Sequence, residues 1–448
     1  MKLKPYPAYK DSGVPWLGEV PAHWEVWRLK RICCLTYGDA LASDVREYGT
    51  VAVYGSNGRI GFHSSANTKA PCIVIGRKGS FGKVNFSAAP VFAIDTTFFV
   101  DEWFSNTNLR WLFYLLSWTR LDEVSKDSAV PGLDREDAYQ RVAAVPPLPE
   151  QAAIVHFLDY MDRRIRHYIR GKQQLIKLLE EQKQAIIHGA VTRGLDPNVR
   201  LKPSGVAWLG DVPEHWKVVR NGWFFVQRNE IGFPELPILE VSLRTGVRVR
   251  DFGVSDRKQI MTDREKYKRA AKGDIAYNMM RMWQGAFGIA PIDGLVSPAY
   301  VVARPIEGTE PRYFSALFRT NAYMGEVGKY SRGIVKDRNR LYWEDFKQIP
   351  TVCPPPDEQV LIADAIDQCT ATINDGMDRI QNEITLLREY RTRLITDIVT
   401  GKLDVRELAA RLPNEAEELE PLDEAEALSD ADEEAVDDLD AASEENES

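Results

Sequence analysis

The chain of 448 residues lacks the short motifs that mark most nucleotide-, metal- and cofactor-dependent enzymes. It contains no GxxxxGK(S/T) phosphate-binding loop, no HExxH metal motif and no glycine-rich fingerprint opening a dinucleotide-binding unit. It also lacks the Asn-or-Asp-Pro-Pro-aromatic tetrad with which amino-methyltransferases hold an extruded base. The six histidines form no cluster along the sequence. These absences argue against a catalytic or metal site in this chain and favour a binding role.

Cysteine and long apolar runs are also scarce. The five cysteines, at positions 33, 34, 72, 353 and 369, form no CxxC pair. This spacing predicts neither a disulfide framework nor a zinc site, and it suits a reducing compartment. No apolar run reaches membrane-spanning length, and the opening MKLKPYPAYKDSG lacks the apolar core of a signal peptide. We therefore expect a cytoplasmic protein without membrane contact.

Basic charge is masked by an acidic segment at the end of the sequence. The formal net charge is −9, but residues 414–448 carry 17 Asp and Glu and no Lys or Arg. Without that segment, 49 acidic residues remain against 57 Lys and Arg, which gives a net charge of +8. A mildly basic body permits nucleic-acid binding without requiring it. Residues 413–448 are predicted to be a disordered acidic tail, with a solubilising role favoured over mimicry of DNA charge.

Two long segments of similar pattern dominate the chain. Residues 147–196 and 355–404 align at an offset of 208 and end alike, in VTRGLD and VTGKLD. Apolar residues in the first copy recur at alternating steps of four and three, which predicts a coiled-coil helix of roughly 38 residues, or about 57 Å. Two matching stripes can bury each other most economically in an antiparallel pair, whereas the alternative is two unrelated helices on separate cores. Tyr168 and Leu175 belong to this predicted seam together with Ile154, Leu158, Ile165, Leu179, Ile186, Ile362, Ile366, Ile373, Leu387 and Leu394.

The segments that precede the helices also repeat. Residues 12–32 read SGVPWLGEVPAHWEVWRLKRI, and residues 204–224 read SGVAWLGDVPEHWKVVRNGWF. Two units of about 1–200 and 201–405 therefore open and close alike, which predicts similar bodies related by a pseudo-twofold axis. The shared tryptophans and histidines are expected to be structural; they are Trp16, Trp24, Trp208, Trp216, His23 and His215.

The interiors of the two units predict short strands and flanking helices. β-Branched and aromatic runs broken by glycine are typical of strands in a small, curved sheet. Helices are expected near residues 108–117 and 312–324. The predicted strands include residues 51–54, 72–75 and 98–100 in the first unit, and 238–241, 274–277 and 300–302 in the second.

Glycine-rich basic loops follow strands at matching places in both units. Residues 76–83 read GRKGSFGK and residues 278–288 read NMMRMWQGAFG, with Phe81-Gly82 aligned to Phe287-Gly288; residues 54–59 have similar chemistry. Glycine lets a backbone approach a ligand closely, and basic and amide side chains can contact phosphates or base edges. The alternative is a set of solvated turns with ordinary surface charge. The candidate DNA-contacting residues are Asn57, Arg59, Arg77, Lys78, Ser80, Lys83, Asn278, Arg281, Trp283 and Gln284.

This duplicated plan resembles the specificity subunit of type I restriction–modification systems over nearly the whole chain to about residue 412. The resemblance rests on the two opening segments, on PLPEQAAIVHFLD and PPPDEQVLIADAID, and on the helix ending LLEEQKQAIIHGAVTRGLD. The interiors of the two units look like two different types of target-recognition domain. The first type is indicated by VYGSNGRIGF and IGRKGSFGKV, and the second by GDIAYNMMRMWQGAFG and GLVSPAYVV.

The resemblance implies an α+β fold in which two antiparallel coiled-coil helices join two target-recognition domains. The implied target-recognition domains are residues 1–149 and 201–357. The implied helices are residues 150–200, with a linker, and 358–412, and the tail follows. Each recognition domain would read one half of a bipartite double-stranded DNA target. The seam helices would also be where two adenine-N6 methyltransferase subunits, and two restriction subunits in the restricting form, dock.

The resemblance further implies that this chain is not itself an enzyme and binds no cofactor or metal. S-adenosylmethionine, ATP and Mg²⁺ would belong to the partner subunits of this host-defence complex. Two other functions stay open at this stage. One is a self-sufficient methyltransferase–endonuclease fusion fragment, and the other is a coiled-coil scaffold that does not bind DNA.

Overall fold

The computed structural model describes residues 3–123, 132–243, 246–250, 264–332 and 339–413. The predicted acidic tail, residues 413–448, lies outside the described residues except for residue 413. The chain divides into two compact units. Unit 1 comprises the described residues up to Lys172 and from Asn382 onward, and unit 2 comprises Gln173–Gln381. Within these ranges, no helix is long and apolar enough to cross a membrane.

The first half of the chain ends in a long helix. Its helices are α1 (Leu29–Ile32), α2 (Leu109–Trp118), α3 (Arg135–Tyr139) and α4 (Leu148–Arg193). Its strands are β1 (Tyr9–Asp11), β2 (Glu19–Pro21), β3 (Glu25–Arg28), β4 (Thr36–Tyr37), β5 (Val51–Gly55), β6 (Gly58–His63), β7 (Cys72–Gly76), β8 (Val84–Ser87), β9 (Phe92–Ala93), β10 (Thr97–Asp101) and β11 (Val142–Val145).

The second half has a similar order of elements and adds a short last helix. Its helices are α5 (Pro311–Phe318), α6 (Asn321–Tyr330), α7 (Trp343–Phe346), α8 (Pro356–Val399) and α9 (Arg406–Ala409). Its strands are β12 (Leu201–Pro203), β13 (Asp211–Pro213), β14 (Lys217–Arg220), β15 (Phe225–Arg228), β16 (Leu239–Ser242), β17 (Gly246–Val249), β18 (Lys268–Ala270), β19 (Ile275–Asn278), β20 (Phe287–Ile289), β21 (Gly294–Val296), β22 (Tyr300–Pro305) and β23 (Pro350–Cys353).

The two units share one sheet plan, which confirms the predicted α+β fold with an internal repeat. Unit 1 has an antiparallel sheet in the order β4-β10-β7-β8, and unit 2 has the corresponding order β15-β22-β19-β20. Ribbons β1-β2 and β3-β11 of unit 1 correspond to β12-β13 and β14-β23 of unit 2. The units differ around this plan. Unit 1 adds the sheet β6-β5-β9, whereas unit 2 adds the ribbons β16-β17 and β18-β21.

The expected elements are present, with one difference. The apolar runs at 51–54, 72–75 and 98–100 form β5, β7 and β10, and those of the second unit fall in β16, β19 and β22. The helix expected at 312–324 is two helices, α5 and α6, because the chain turns at Arg319 and Thr320. The Thr320 side chain caps α6 by accepting a hydrogen bond from the backbone N–H of Tyr323. Such a cap satisfies an N–H group that the first turn leaves without a partner.

The shared histidine–tryptophan pair of unit 1 is structural, as the sequence predicts. Trp24 is fully buried, and its Nε1 donates to the carboxylate of Glu150 in the first turn of α4, at 3.0 Å. His23 Nε2 lies 2.8 Å from the second oxygen of Glu150, and the Tyr6 hydroxyl donates to the first. The carboxylate thereby anchors α4 to the ribbon β1-β2.

Unit 2 repeats this anchor at the start of α8. Trp216 Nε1 donates to Glu358 at 3.0 Å, and His215 Nε2 lies 2.8 Å from the same oxygen. The Glu358 side chain keeps 27% of its surface exposed, compared with 6% for Glu150. The two anchors therefore share geometry and differ in burial.

The glutamine that follows each anchor ties the long helix to a second helix. Gln151 Oε1 accepts from the backbone N–H of Asn108, the residue that caps α2, at 2.9 Å. Gln359 Oε1 accepts from the backbone N–H of Glu310, the cap of α5, at 3.1 Å. The repeated Glu-Gln pair thus fixes each long helix to its own unit through two hydrogen-bonded positions.

Within each unit the long helices pack antiparallel. In unit 1, Lys172 pairs with Glu383, and Asp162 pairs with Arg391, so residue numbers rise on one helix as they fall on the other. Apolar residues of both helices join each core. The shared core residues are Ile154, Phe157, Leu158, Leu394, Ile398 and Val399 in unit 1, and Ile187, Ala190, Val191, Ile362, Ala363 and Ile366 in unit 2.

The apolar seam follows a longer period than the heptad predicted from the sequence. Tyr168 and Leu175 were expected in the seam and are instead exposed, at 52% and 44%. The neighbouring Ile169 is buried, as is Ile187. Buried positions such as 154, 165 and 187, or 158, 169 and 191, lie at multiples of eleven residues. An eleven-residue repeat spans three turns, which gives about 3.67 residues per turn, close to the 3.6 of a straight α-helix. The buried face therefore shifts around the helix less than it would with a strict heptad repeat.

Ten further residues of the predicted seam are buried or half-buried. Both helices are also longer than the expected 38 residues, at 46 for α4 and 44 for α8. Ile154, Leu158, Ile165, Ile362, Ile366 and Leu394 are buried, and Leu179, Ile186, Ile373 and Leu387 are half-buried.

Candidate nucleic-acid interface

The predicted basic loops connect equivalent strands in the two units. Residues 77–83 join β7 to β8, and residues 279–286 join β19 to β20. Each loop turns back through a glycine with positive φ, 78° at Gly82 and 99° at Gly285. A Cβ on Gly82 would lie 2.2 Å from the backbone nitrogen of Asp122, so no larger residue fits. The sequence prediction that both loops follow a strand at the same place is therefore confirmed.

The detailed alignment of the two loops was wrong. Phe287 and Gly288 were aligned with Phe81 and Gly82, but they lie within β20, where Phe287 pairs with Tyr277. Phe81 and Gly82 precede β8 and belong to the turn itself. Gly82 therefore corresponds to Gly285, and the Phe-Gly dipeptide recurs by coincidence of composition.

Each loop is attached at its base to the segment that precedes a short helix. In unit 1 the backbone N–H of Leu133 donates to the carbonyl of Arg77 at 2.8 Å. In unit 2 the backbone N–H of Leu341 donates to the carbonyl of Met279, also at 2.8 Å. Both leucines are buried. Arg77 and Met279 therefore occupy equivalent positions, and a buried leucine holds the base of each loop against the core.

Two predicted contact residues of unit 1 meet between neighbouring turns. Lys83 Nζ donates to Asn57 Oδ1 at 3.0 Å, which links the loop after β7 to the β5–β6 turn. The two turns touch at Gly76, where a Cβ would lie 2.8 Å from the carbonyl oxygen of Ser56. Ser56 is buried and donates to the carbonyl of Thr96 at 2.7 Å. Lys83 and Asn57 are 26 residues apart in the sequence, and no sequence pattern predicted their contact.

The other predicted residues of unit 1 lie around this pair. Lys78 and Ser80 are exposed on the loop, and Lys78 forms a backbone bridge with Gly132. Arg59 is exposed on β6, and its guanidinium lies 5.3 Å from the ring centre of Phe62. A shallow groove of about 360 Å³ runs beside the loop. It is lined by Ser80, Phe81, Gly82, Lys83, Val84, Ser117, Arg120, Leu121 and Asp122.

The loop of unit 2 uses part of its polar chemistry to hold its own shape. Asn278 Oδ1 accepts from the backbone N–H of Met280 at 2.9 Å, and Trp283 Nε1 donates to the carbonyl of Met280 at 3.0 Å. Gln284 is exposed, Trp283 is 37% exposed, and Arg281 is half-buried. The structure therefore leaves Gln284 and part of Trp283 in contact with solvent, while the side-chain oxygen of Asn278 is already engaged.

Basic side chains at the base of the unit 2 sheet are neutralised internally. Arg228 binds Asp274 at 2.6 Å and Glu230 at 2.5 Å, and Arg269 binds Glu230 at 2.9 Å and Asp293 at 2.6 Å. Burial raises the pKa of Asp274 above its ordinary value, although the hydrogen bond from Arg228 acts in the opposite direction. In this network two arginines meet three carboxylates, so it presents no excess of positive charge.

Sequence reasoning missed three residues that flank the loops. In unit 1, Tyr37 and Arg135 lie beside Arg77, with each guanidinium about 5 Å from the Tyr37 ring. In unit 2, Arg319 lies over the Phe287 ring at 4.8 Å and donates to the Phe287 carbonyl at 3.0 Å. Burial lowers the pKa of Arg319 from its ordinary value. These contacts join distant sequence positions, so no local motif could have indicated them.

The fold and the loops together define a class of protein. Each unit carries a small antiparallel sheet whose hairpin loop presents basic, amide or aromatic side chains, and each is anchored to paired long helices. Among the described residues, no group of three His, Cys, Asp or Glu could hold a metal ion. The class is that of a duplicated protein whose two units are each anchored to long helices.

One family model matches part of this chain. Residues 21–178 match the family model described as "Type I restriction modification DNA specificity domain". Residues 21–178 are therefore similar to this DNA specificity domain, which agrees with the resemblance seen in the sequence.

One solved structure has a similar fold across most of the chain, and a second is reported with it. One, described as "Structural basis underlying complex assembly and conformational transition of the type I R-M system", has a TM-score of 0.57 at 14% identity. It covers 86% of this chain and 98% of its own. The HsdS subunit from Thermoanaerobacter tengcongensis has a TM-score of 0.43 at 17% identity, with coverage of 86% and 98%.

Proposed function

We propose that this protein is the sequence-specific DNA-binding specificity subunit of a type I restriction–modification complex, and that each unit reads one half of a bipartite duplex target. The observation that carries the proposal is one scaffold repeated around unlike loops. The base of the loop is attached in the same way through Leu133 and Leu341, whereas the loop residues themselves differ. A constant frame with variable loops suits a protein that reads two different short sequences.

The candidate residues divide by chemistry into two kinds of DNA contact. Lysines such as Lys78 and Lys83 suit phosphate oxygens as point charges, and Arg281 suits bidentate contact with a guanine edge. Gln284 suits adenine, and the exposed face of Trp283 suits apolar contact with a thymine methyl group. These assignments are consistent with the exposure of Lys78, Trp283 and Gln284 on the loops.

We propose further that the long helices receive the other subunits of the complex. Two adenine-N6 methyltransferase subunits, and two restriction subunits in the restricting form, would dock on α4 and α8. S-adenosylmethionine, ATP and Mg²⁺ would be held by those partners, which agrees with the lack of their binding motifs in this sequence. We place the assembly in the cytoplasm, and assign this chain recognition but no catalytic step. The solved structure of similar fold, described as concerning complex assembly of a type I system, supports this assignment.

A binding titration tests the proposal against its two alternatives. The purified chain is titrated with random-sequence duplex at several salt concentrations, and separately with S-adenosylmethionine. We expect duplex binding that weakens linearly in log–log form with salt, because phosphate contacts release counterions, and no binding of S-adenosylmethionine. Absence of duplex binding at low salt would favour a scaffold that does not bind DNA. Binding of S-adenosylmethionine by the isolated chain would favour a self-sufficient methyltransferase.

A further inference from the structure

Two arginines from distant parts of unit 1 converge on one aromatic ring. The guanidinium of Arg77 lies 5.1 Å from the ring centre of Tyr37, and that of Arg135 lies 5.0 Å from it. Arg77 begins the hairpin loop, and Arg135 is the first residue of α3. Tyr37 is 45% exposed, and its ring rests on the buried Phe98 at 5.0 Å between centres. The ring is thus fixed from below and open to solvent.

The cluster is electrostatically incomplete within the described residues. Neither guanidinium forms an ion pair with a described carboxylate, and the Nε of each is buried without a hydrogen-bond partner. Arg110 of the same unit shows the contrast: it lies 4.5 Å from the Phe86 ring, but Asp159 balances its charge at 2.9 Å. Two cations that lie about 5 Å from the same ring centre repel each other, and the attraction of the ring offsets this only in part. An anion placed between them would balance their charge.

We infer that Tyr37, Arg77 and Arg135 form a clamp for one backbone phosphate of duplex DNA. The inference rests on the proposed function, which supplies the nucleic acid, and it assigns two residues that the sequence did not indicate. A phosphate suits the cluster because guanidinium groups donate paired hydrogen bonds to its oxygens. DNA is the source because the cluster lies at the base of the loop that carries Lys78 and Lys83.

Unit 1 has the two arginines of this clamp, and unit 2 has uncharged residues at the equivalent positions. Met279 takes the place of Arg77, since its carbonyl accepts the same hydrogen bond from a buried leucine. Trp343 takes the place of Arg135, since each is the first residue of the short helix that follows. Neither replacement carries charge, so unit 2 cannot hold a phosphate at this point in the same way.

The salt dependence of duplex binding tests the clamp. The full chain and its Arg135→Ala variant are titrated with random-sequence duplex between low and moderate salt. Loss of one phosphate contact lowers the slope of log affinity against log salt by about 0.9. We expect that decrease for Arg135→Ala and for Arg77→Ala, and no decrease for Tyr37→Phe, which keeps the ring. The matched control is Arg31→Ala, because Arg31 also lies on an aromatic ring, 4.4 Å from Trp27, but outside the cluster.

Each outcome has a distinct meaning. A wild-type chain that does not bind duplex contradicts the proposed function and, with it, the clamp. A wild-type chain that binds while Arg135→Ala keeps the full slope contradicts the clamp alone. An equal decrease for Arg31→Ala also contradicts it, because the effect would then follow from net charge. Circular dichroism verifies folding, and Arg135→Gln, which keeps much of the side-chain stem, replaces the alanine variant if the latter unfolds.

Discussion

The hairpin loops of the two units occupy the same position in the sheet and present different chemistry. The loop of unit 1 carries Arg77, Lys78 and Lys83, and Lys83 reaches across to a neighbouring turn. The loop of unit 2 has Met279 at its base and exposes Trp283 and Gln284. The hydrogen bonds that hold the base of each loop are the same in type and length. A fixed attachment therefore allows the loop surface to change without a change in the sheet.

The attachment to the long helices shows a smaller difference. Glu150 is buried and accepts from both Trp24 and Tyr6, with His23 beside its second oxygen. Glu358 lies beside the histidine and tryptophan of its unit, and it is more exposed. The anchor of unit 1 should consequently contribute more to stability than that of unit 2.

The largest predicted effect is the loss of these anchors. Glu150→Ala leaves buried donors without an acceptor, so we expect a cost of about 2–4 kcal/mol in the free energy of unfolding. Glu358→Ala should cost less, about 1–2 kcal/mol, because solvent can replace part of the carboxylate. Hydrogen exchange measured by mass spectrometry resolves the two units separately. The exposed Glu25→Ala is the control, and equal losses for Glu150→Ala and Glu358→Ala would contradict the difference in burial.

An intermediate effect is expected from the loop arginines. Arg281→Ala should reduce discrimination at one base of one half-site by about 1–3 kcal/mol, because a bidentate base contact is lost. Arg77→Ala should instead weaken binding about equally across sequences, as expected of a phosphate contact. Methylation of a target library by the assembled complex measures both. Lys329→Ala, which removes an exposed lysine paired with Glu326, is the control. Unchanged affinity and methylation after Arg77→Ala and Arg281→Ala together would contradict the loop assignment.

The sequence predicted the repeated frame because its parts are local. The matching openings, the Glu-Gln pair and the two apolar stripes can each be read within a few turns of chain. The sequence predicted less well which residues of each apolar stripe face the core. Tyr168 and Ile169 both fit an apolar stripe in the sequence, but the fold buries Ile169 and exposes Tyr168.

The candidate interface was predicted only in part for a similar reason. The loops themselves were found, since glycine and basic residues follow a strand in both units. The approach of Arg135 to Tyr37, and of Lys83 to Asn57, depends on long-range folding and leaves no local pattern. The predicted Phe-Gly alignment is wrong because strand register, which a dipeptide does not specify, decides which residues are equivalent.

The smallest effect on DNA binding affinity is expected from lengthening the helices, which should change the spacing between the half-sites instead. The Lys172–Glu383 pair shows that Gly171 faces the region near residue 383, which corrects the facing point near Arg379 expected from the repeat offset. Four residues inserted after Gly171 and four after Glu383 add about 6 Å of helix. If helix length sets the spacing between half-sites, the central gap should grow by up to about two base pairs, with both half-sites unchanged. Methylome sequencing measures the gap, and active enzyme that keeps the original spacing would contradict the spacer role.

The central claim, that each unit reads its own half-site, is tested most directly by exchanging one interior. Residues 33–135 are replaced by the equivalent segment of another family member, and the hybrid is expressed with its methyltransferase partner for methylome sequencing. The account predicts that one half of the methylated sequence changes while the other half and the gap stay the same. A change in both halves would show that the units read DNA jointly, and an unchanged target from an active hybrid would show that recognition lies outside this segment.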